Sequence, residues 1–183
     1  PVLASLGGGG FVMARPAGKP PRLYDFFVET PLAKRPREEL EFESRFATFA
    51  GGVTQEFHGG YGSVATPGVV AGIFKLHDDI GSLPMAMLAE PAITAARDGI
   101  KLDAFQRYVM GIVTPLMAFS KDSRAVFGAP GHQAEDGFEL PDEGSILRQA
   151  DMADSIEYLL RTGADGFYHG DLGHALVTEC REY

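Results

Sequence analysis

The sequence contains no tryptophan and a single cysteine, Cys180. One cysteine excludes an intrachain disulfide and leaves the redox compartment open, and a lone thiol is more often a packing residue than a nucleophile. No uninterrupted apolar stretch approaches the roughly 20 residues that a membrane-spanning helix needs. No signal peptide is recognisable, and the localisation stays open. The chain also lacks an initiator methionine, and we expect it to be an internal piece of a longer protein.

Basic residues are in the minority. The chain carries 16 Lys and Arg against 25 Asp and Glu, for a formal net charge of −9. Binding to nucleic acid requires clusters of cationic side chains against the phosphates. The densest such cluster, "KRPR" at 34–37, runs directly into the acidic stretch "EELEFE". The composition therefore argues against a nucleic-acid partner.

Motifs for nucleotides and metals are missing as well. The glycines at 7–10 are followed by the strand-like "FVMARP", whereas a phosphate loop leads into a helix. We interpret these glycines as positions where another backbone segment or a ligand approaches closely. His169 and His174 are five residues apart, which does not place them on one helical face, and the other histidines are scattered. We predict no cofactor and no metal site.

The chain has 183 residues, of which 45% are hydrophobic and 22% charged, as in an ordinary globular domain. We predict strands at 2–6, 11–15 and 22–28, the last two joined as a hairpin through the turn "AGKPP". Residues 30–62 are predicted to be irregular. Within them, "ELEFESRFATFAGGV" is compatible with an edge strand or a mobile loop, and "QEFHGGYGS" with a site-lining loop or a plain connector.

Helical patterns follow the strands. Thr66 is the expected N-cap of a first helix, with Pro67 at its first position and Gly81 at its end. A second helix should begin after Ser82 and reach Gly99, and a third should begin at Asp103. The remaining predictions are a kink or break at Pro91, a disturbance of the third helix at Pro115, and a polar hairpin or surface loop at 129–145. An amphipathic helix should follow and point Ile146, Leu147, Met152, Ile156, Leu159 and Leu160 inward, and a last helix should begin at about 170. Strands followed by at least five helical segments, without βαβ alternation, indicate the α+β class.

Several segments, in this order, resemble the large subunit of gamma-glutamyltranspeptidases: "GGGGFVM", "YDFFVETP", "VATPGVVAGIFKLHDDIGSLPM" and "GADGFYHGDLGHAL". The resemblance spans nearly the whole chain. It implies an N-terminal nucleophile hydrolase with a four-layer αββα sandwich, of which residues 1–183 would be a single incomplete domain. It also implies a precursor that cuts itself into a large and a small subunit. The N-terminal Thr of the small subunit is then the nucleophile, its own α-amine is the base, and a γ-glutamyl group passes from a glutathione-type donor to water or an amine.

Two consequences concern partners and catalysis. We expect no catalytic residue in this chain, since the nucleophile belongs to the missing small subunit, and the isolated chain should be inactive. The expected partners are that small subunit and a small-molecule amide. Self-association is also expected, because an incomplete sandwich leaves apolar surface and strand edges open.

One motif departs from the family pattern. The family has Asp-Phe-Arg-Glu-x-Ala-Pro, where the Arg binds the α-carboxylate of the substrate, and this chain has "DFFVETP". Asp25, Phe26 and Pro31 match, but Phe27 replaces the Arg and Val28 replaces the Glu. We expect Phe27 and Glu29 to be substrate-binding residues. An acylase with a non-glutamyl donor and a non-catalytic family member remain as alternatives.

Overall fold

The computed structural model describes residues 4–182. The chain divides into two compact units. Unit 1 consists of residues 35–63 and 95–150, and unit 2 of residues 4–34, 64–94 and 151–182.

Strands and helices are both present in the described residues, as the α+β class requires. The strands are β1 (Gly10–Ala14), β2 (Arg22–Phe26), β3 (Glu43–Thr48), β4 (Thr54–Gly59), β5 (Ile100–Lys101) and β6 (Ile146–Leu147). They pair as three antiparallel two-stranded sheets, β1 with β2, β3 with β4 and β5 with β6. The helices are α1 (Val69–Ile80), α2 (Met85–Asp98), α3 (Ala104–Ile112), α4 (Thr114–Met117), α5 (Lys121–Phe127), α6 (Ala150–Thr162), α7 (Ala164–Tyr168) and α8 (Asp171–Glu182).

The β1–β2 hairpin of unit 2 confirms the predicted hairpin. Alternate residues of a strand point to opposite faces, and this hairpin buries Ala14 and Tyr24 on its inner face. Its outer face exposes four large apolar side chains, Phe11, Met13, Leu23 and Phe27. The strand predicted at 2–6 is wrong for residues 4–6, and residues 2–3 lie outside the described part. The Gly8 N–H donates to the Ser5 carbonyl at 3.2 Å, and this tight turn takes the place of a strand.

Helix α1 begins two residues later than predicted. Its N-cap is Gly68, with no side-chain cap, so the prediction of Thr66 as N-cap is wrong. The carbonyl of Gly8 instead accepts hydrogen bonds from Gly68 N and Val69 N, both at 3.1 Å. A distant backbone carbonyl thereby satisfies the free N–H groups that a side chain would otherwise cap. The end of the helix at Gly81 is confirmed.

Helices α6 and α7 pack on α1 in the core of unit 2. Val70, Leu159 and Phe167 form that core. The Tyr168 hydroxyl donates to the Pro67 carbonyl at 2.9 Å and accepts from Ala71 N at 3.2 Å. Residues of α6 and α7 therefore hold the first turn of α1 in place.

Unit 1 contains a second hairpin where we predicted irregular chain. β3 and β4 pair from Glu43–Gly59 to Thr48–Thr54, so the irregular assignment is wrong for 43–48 and 54–59, and the edge-strand alternative is right. The stretch "QEFHGGYGS" is mostly strand β4 followed by a 3-10 turn at Tyr61–Ser63. The alternation of charged and apolar residues in 43–48 is thus a strand pattern.

The helical part of unit 1 follows the predicted boundaries more closely. Asp103 caps α3 through a capping box with Gln106, and the helix is interrupted before Pro115, as predicted. The core of unit 1 comprises Leu102, Met110, Val113, Met117 and Leu140. Ile146 and Leu147 depart from prediction, because both lie in β6 rather than on a helix, and Ile146 is exposed.

Candidate donor-binding site

An aromatic pair marks the end of the β1–β2 hairpin where the family motif departs from its pattern. The rings of Phe11 and Phe27 are stacked, with centroids 5.4 Å apart and planes inclined by 11°. Both side chains are more than half exposed, Phe11 at 58% and Phe27 at 55%. A stacked pair that stays this open to solvent offers ring surface to another molecule.

Asp25 lies on the same face as this pair. It is directly opposite Phe11 in the β1–β2 register, and one of its side-chain oxygens, Oδ1, accepts a hydrogen bond from Phe27 N at 3.1 Å. Aspartate often bonds to a backbone N–H two residues further on, which fixes a local turn. Asp25 thereby orients the backbone of Phe27 and adds a carboxylate beside the two rings.

The glycine run explains why the two strands can approach here. A Cβ on Gly9 would lie 2.6 Å from Val28 N and 2.7 Å from the Phe26 carbonyl oxygen. Such contacts with backbone atoms leave room for no residue other than glycine. The prediction that the glycines serve close backbone approach is confirmed at Gly9.

Glu29 is anchored through its backbone. Glu29 N donates to the Thr66 carbonyl at 3.0 Å, and Thr66 N donates to the Glu29 carbonyl at 2.7 Å. This two-residue bridge joins the end of β2 to the segment before α1. The Glu29 side chain is exposed, so it is available to a ligand. Its role in substrate binding stays a prediction.

Arg22 is the arginine of β2, but it lies on the opposite face of the hairpin from Phe27. The two residues are five positions apart, and an odd separation in a strand reverses the direction of the side chain. The Arg22 guanidinium forms an ion pair with Asp79 at 2.9 Å, and Lys75 contacts the other oxygen of Asp79 at 2.6 Å. The bond from Lys75, with a further contribution from Arg22, holds the pKa of Asp79 below its usual range. Arg22 therefore bonds to α1 on the face of the hairpin opposite Phe27.

An apolar groove of about 440 Å³ also lies in unit 2. Residues of α1, α2 and α6 line it, together with Leu6. Its one histidine, His77, bonds through Nε2 to the Leu83 carbonyl at 2.7 Å. With that polar group occupied by the protein itself, the groove offers no reacting group. Across residues 4–182, no three His, Cys, Asp or Glu side chains are grouped to hold a metal, and no helix is long and apolar enough to cross a membrane.

Known structures share this fold. The transpeptidase CapD of Bacillus anthracis is 26% identical, with a TM-score of 0.70 over 98% of this chain and 50% of the CapD chain. The gamma-glutamyltranspeptidase of Helicobacter pylori is 22% identical, with a TM-score of 0.75 over 98% of this chain and 48% of its own. These matches put the protein in the class of N-terminal nucleophile hydrolases, as a partial fold.

The sequence comparisons narrow that class to a family. The sequence model of the gamma-glutamyltranspeptidase family matches residues 1–183, and the chain belongs to this family. The glutathione hydrolase proenzyme of Escherichia coli K12 is 28% identical over 183 residues, which are 100% of this chain and 29% of the proenzyme. This chain thus spans less than a third of that curated relative and about half of the solved chains.

Two of the residues described above were missed at the sequence level. Phe11 and Asp25 were not predicted as site residues, and only Phe27 and Glu29 were. Period-two alternation in both strands, combined with the hairpin register, was the signal that could have placed Phe11 beside Phe27.

Proposed function

We propose that this chain forms part of the donor site of an amide-cleaving acyltransferase of the gamma-glutamyltranspeptidase type. Family membership over the whole chain supports this proposal. So do the names of its relatives, which include a glutathione hydrolase proenzyme and a transpeptidase. The nucleophile is the N-terminal Thr of a small subunit outside this chain.

The proposed reaction needs no cofactor. The Thr hydroxyl oxygen attacks the amide carbonyl of the donor, and the α-amine of the same Thr accepts the hydroxyl proton. An α-amine with a pKa near 8 can do this at neutral pH. The proton passes to the departing amine, and the acyl group stays on the Thr as an ester. Water then releases a carboxylic acid, or an acceptor amine forms a new amide, and the Thr hydroxyl is restored.

The observation that carries the choice of donor is the exposed Phe27 at the motif position of the carboxylate-binding Arg. An arginine holds a carboxylate with two parallel charge-assisted hydrogen bonds, whereas a phenyl ring provides none. A hydrogen bond to a charged group contributes about 1.5 to 3 kcal/mol. Asp25 adds a negative charge on the same face. Both features favour a donor that lacks the α-carboxylate, which makes a non-glutamyl acylase the second candidate function.

The names of the relatives support γ-glutamyl donors instead. For this chain, such donors would require a cation other than Arg22, which bonds to Asp79 on the other face of the hairpin. The two candidates therefore differ in one measurable property, the contribution of the donor α-carboxylate to kcat/KM.

Four anilide donors test this property in the complete, self-processed protein. The γ-glutamyl group carries both the α-amino and the α-carboxylate group, glutaryl only the carboxylate, 4-aminobutanoyl only the amine, and butanoyl neither. We expect the two donors without carboxylate to have kcat/KM values at least about tenfold higher, which corresponds to about 1.4 kcal/mol. The isolated 183-residue chain, which lacks the nucleophile, should turn over none of them.

Phe27→Arg is the matched variant for this experiment. It should raise kcat/KM for the γ-glutamyl and glutaryl donors and leave butanoyl little changed. A wild-type preference for γ-glutamyl above tenfold, with no gain from Phe27→Arg, would show that Phe27 does not select the donor. Absence of turnover with all four donors would instead support a non-catalytic family member.

We also propose that the outer face of the β1–β2 hairpin drives self-association of the isolated chain. Met13 and Leu23 are opposite each other on this face, and both are more than half exposed. Light scattering should show oligomers for the isolated chain and a smaller species for Met13→Ser with Leu23→Ser. A monomeric wild-type chain would contradict the proposal.

A further inference from the structure

The Phe11–Phe27 pair is a diagonal cross-strand contact. Phe11 is directly opposite Asp25, and Phe27 is two residues further along the same face. Diagonal neighbours in a sheet are within reach of each other only when the side chains are long or aromatic. Here both are phenylalanine, and their planes are almost parallel.

The two rings leave much of their surface unused. Parallel, offset rings leave an outer face and an edge of each ring free, and more than half of each side chain remains exposed. Close contact between the Gly9 backbone and residues 26–28 fixes the spacing of the strands that carry the rings. The pair is therefore a preformed surface of defined geometry.

We propose that Phe11 and Phe27 form an aromatic platform that binds an uncharged acyl donor carrying an aromatic ring, with Asp25 as the residue that positions Phe27 and repels anionic donors. This inference rests on the proposed function and adds Phe11, Asp25 and the chemical class of the acyl group to it. The platform continues the site already assigned to Phe27, which is why its occupant is the donor.

An aromatic acyl group fits this surface better than an aliphatic one of equal size. A flat ring extends a parallel stack with its whole face, and such aromatic pairs gain energy beyond the area that they bury. A saturated ring is puckered and lacks the ring quadrupole, so it gains only the area. Asp25 disfavours donors that carry a carboxylate, because that group would place a second negative charge close to the Asp25 carboxylate.

A pair of donors isolates this preference. The complete, processed protein is assayed with 4-phenylbutanoyl and 4-cyclohexylbutanoyl anilides, which differ in the planarity and aromaticity of the ring. We expect kcat/KM to favour the phenyl donor by about threefold to tenfold. Phe11→Leu, which keeps an apolar side chain, should bring that ratio close to one, because the phenyl donor loses its stacking partner. Phe11→Tyr should retain the ratio.

Phe46→Leu is the matched control, because Phe46 is similarly exposed at 57% and belongs to the β3–β4 hairpin. It should leave the phenyl-to-cyclohexyl ratio unaltered. Asp25→Asn keeps an oxygen that can accept from Phe27 N and removes the charge. It should raise kcat/KM for the glutaryl donor about threefold or more without altering the ratio between the ring donors.

Binding is measured separately from turnover by saturation-transfer NMR with 4-phenylbutanamide on the same protein. Saturation transfer to the phenyl ring of this ligand in the wild type, and its loss in Phe11→Leu, would support the platform. If no donor were cleaved in the same protein, only the proposed function would fail. An active enzyme with equal kcat/KM for the two ring donors would overturn the inference. So would the absence of ring contact in the wild type, which is the result expected if another part of the complete protein covers the pair.

Discussion

Gly72 packs its backbone directly against the ring of Phe26. A Cβ at position 72 would overlap the Cβ, Cγ and Cδ1 atoms of Phe26, although α1 would otherwise favour alanine over glycine. This contact places α1 on the inner face of the hairpin, against β2, which ends one residue before Phe27.

Gly72→Ala should therefore destabilise the protein, against the helix propensity of the new residue. Overpacking of a formed contact costs about 1 to 3 kcal/mol, which exceeds the helical gain of up to about 1 kcal/mol. Urea unfolding measures the difference. The double variant with Phe26→Leu should recover part of the loss, and strict additivity of the two single changes would contradict a direct contact.

Gly9→Ala should be destabilising for a different reason. Its Cβ would meet backbone atoms of residues 26–28, which cannot rotate away as a side chain can. We expect a loss of about 1 to 3 kcal/mol in the free energy of unfolding. Gly7→Ala is the control, because its Cβ would find Ser5 Oγ at an ordinary 3.5 Å. Equal stability of the two variants would show that the strands can separate without cost.

Tyr168→Phe should weaken the start of α1. The change removes the hydrogen bond to the Pro67 carbonyl and the acceptor for Ala71 N. We expect a loss of about 1 to 2 kcal/mol and faster hydrogen exchange at the Ala71 amide. Tyr108→Phe alters a tyrosine that is 51% exposed and should have little effect on either measurement. Unchanged protection of Ala71 in Tyr168→Phe would argue against the bond.

Asp79 should make stability depend on pH in the acid range. Lys75 and Arg22 lower its pKa in the folded protein, so the contribution is fully present above the unfolded value of about 3.9 and is lost as the pH falls through the folded pKa. Chemical denaturation between pH 7 and pH 3 should show a stability gap between the wild type and Asp79→Asn that narrows below about pH 4.

Lys75→Met tests which cation lowers the pKa of Asp79. The bond from Lys75 contributes most to the lowered pKa of Asp79, so this variant should move the carboxyl pKa upward more than Arg22→Met does. NMR titration of the Asp79 side-chain carboxyl measures both. A larger change in Arg22→Met would mean that the cross-element ion pair, and not the neighbour within α1, stabilises the carboxylate.

Local patterns predicted much of the fold. The β1–β2 hairpin followed from two strand-like stretches, the second rich in aromatic residues, around a Gly and Pro turn, and the start of α3 followed from the helical pattern that begins at Asp103. Both signals involve residues that interact within a few positions of the chain. The β3–β4 hairpin carried an alternation of charged and apolar residues, which left an edge strand and a mobile loop both open.

Only part of the candidate site could be predicted from the sequence. The motif "DFFVETP" pointed to Phe27 and Glu29 through the family resemblance, because the departure from the family pattern lies in consecutive residues. Phe11 belongs to another strand, and its stacking on Phe27 depends on the register of the hairpin. A shift of one residue in that register would have turned Phe11 to the inner face.

The sequence by itself determined the family, the α+β class, the first hairpin and the close backbone approach at Gly9. The tertiary structure alone decided where α1 begins, which aromatic ring stands beside Phe27, and which face Arg22 serves. Gly8 and Gly68 are 60 positions apart in the chain, yet the carbonyl of one caps the helix of the other. Sequence patterns record preferences of neighbouring residues, whereas such a hydrogen bond forms only after distant backbone segments have packed together.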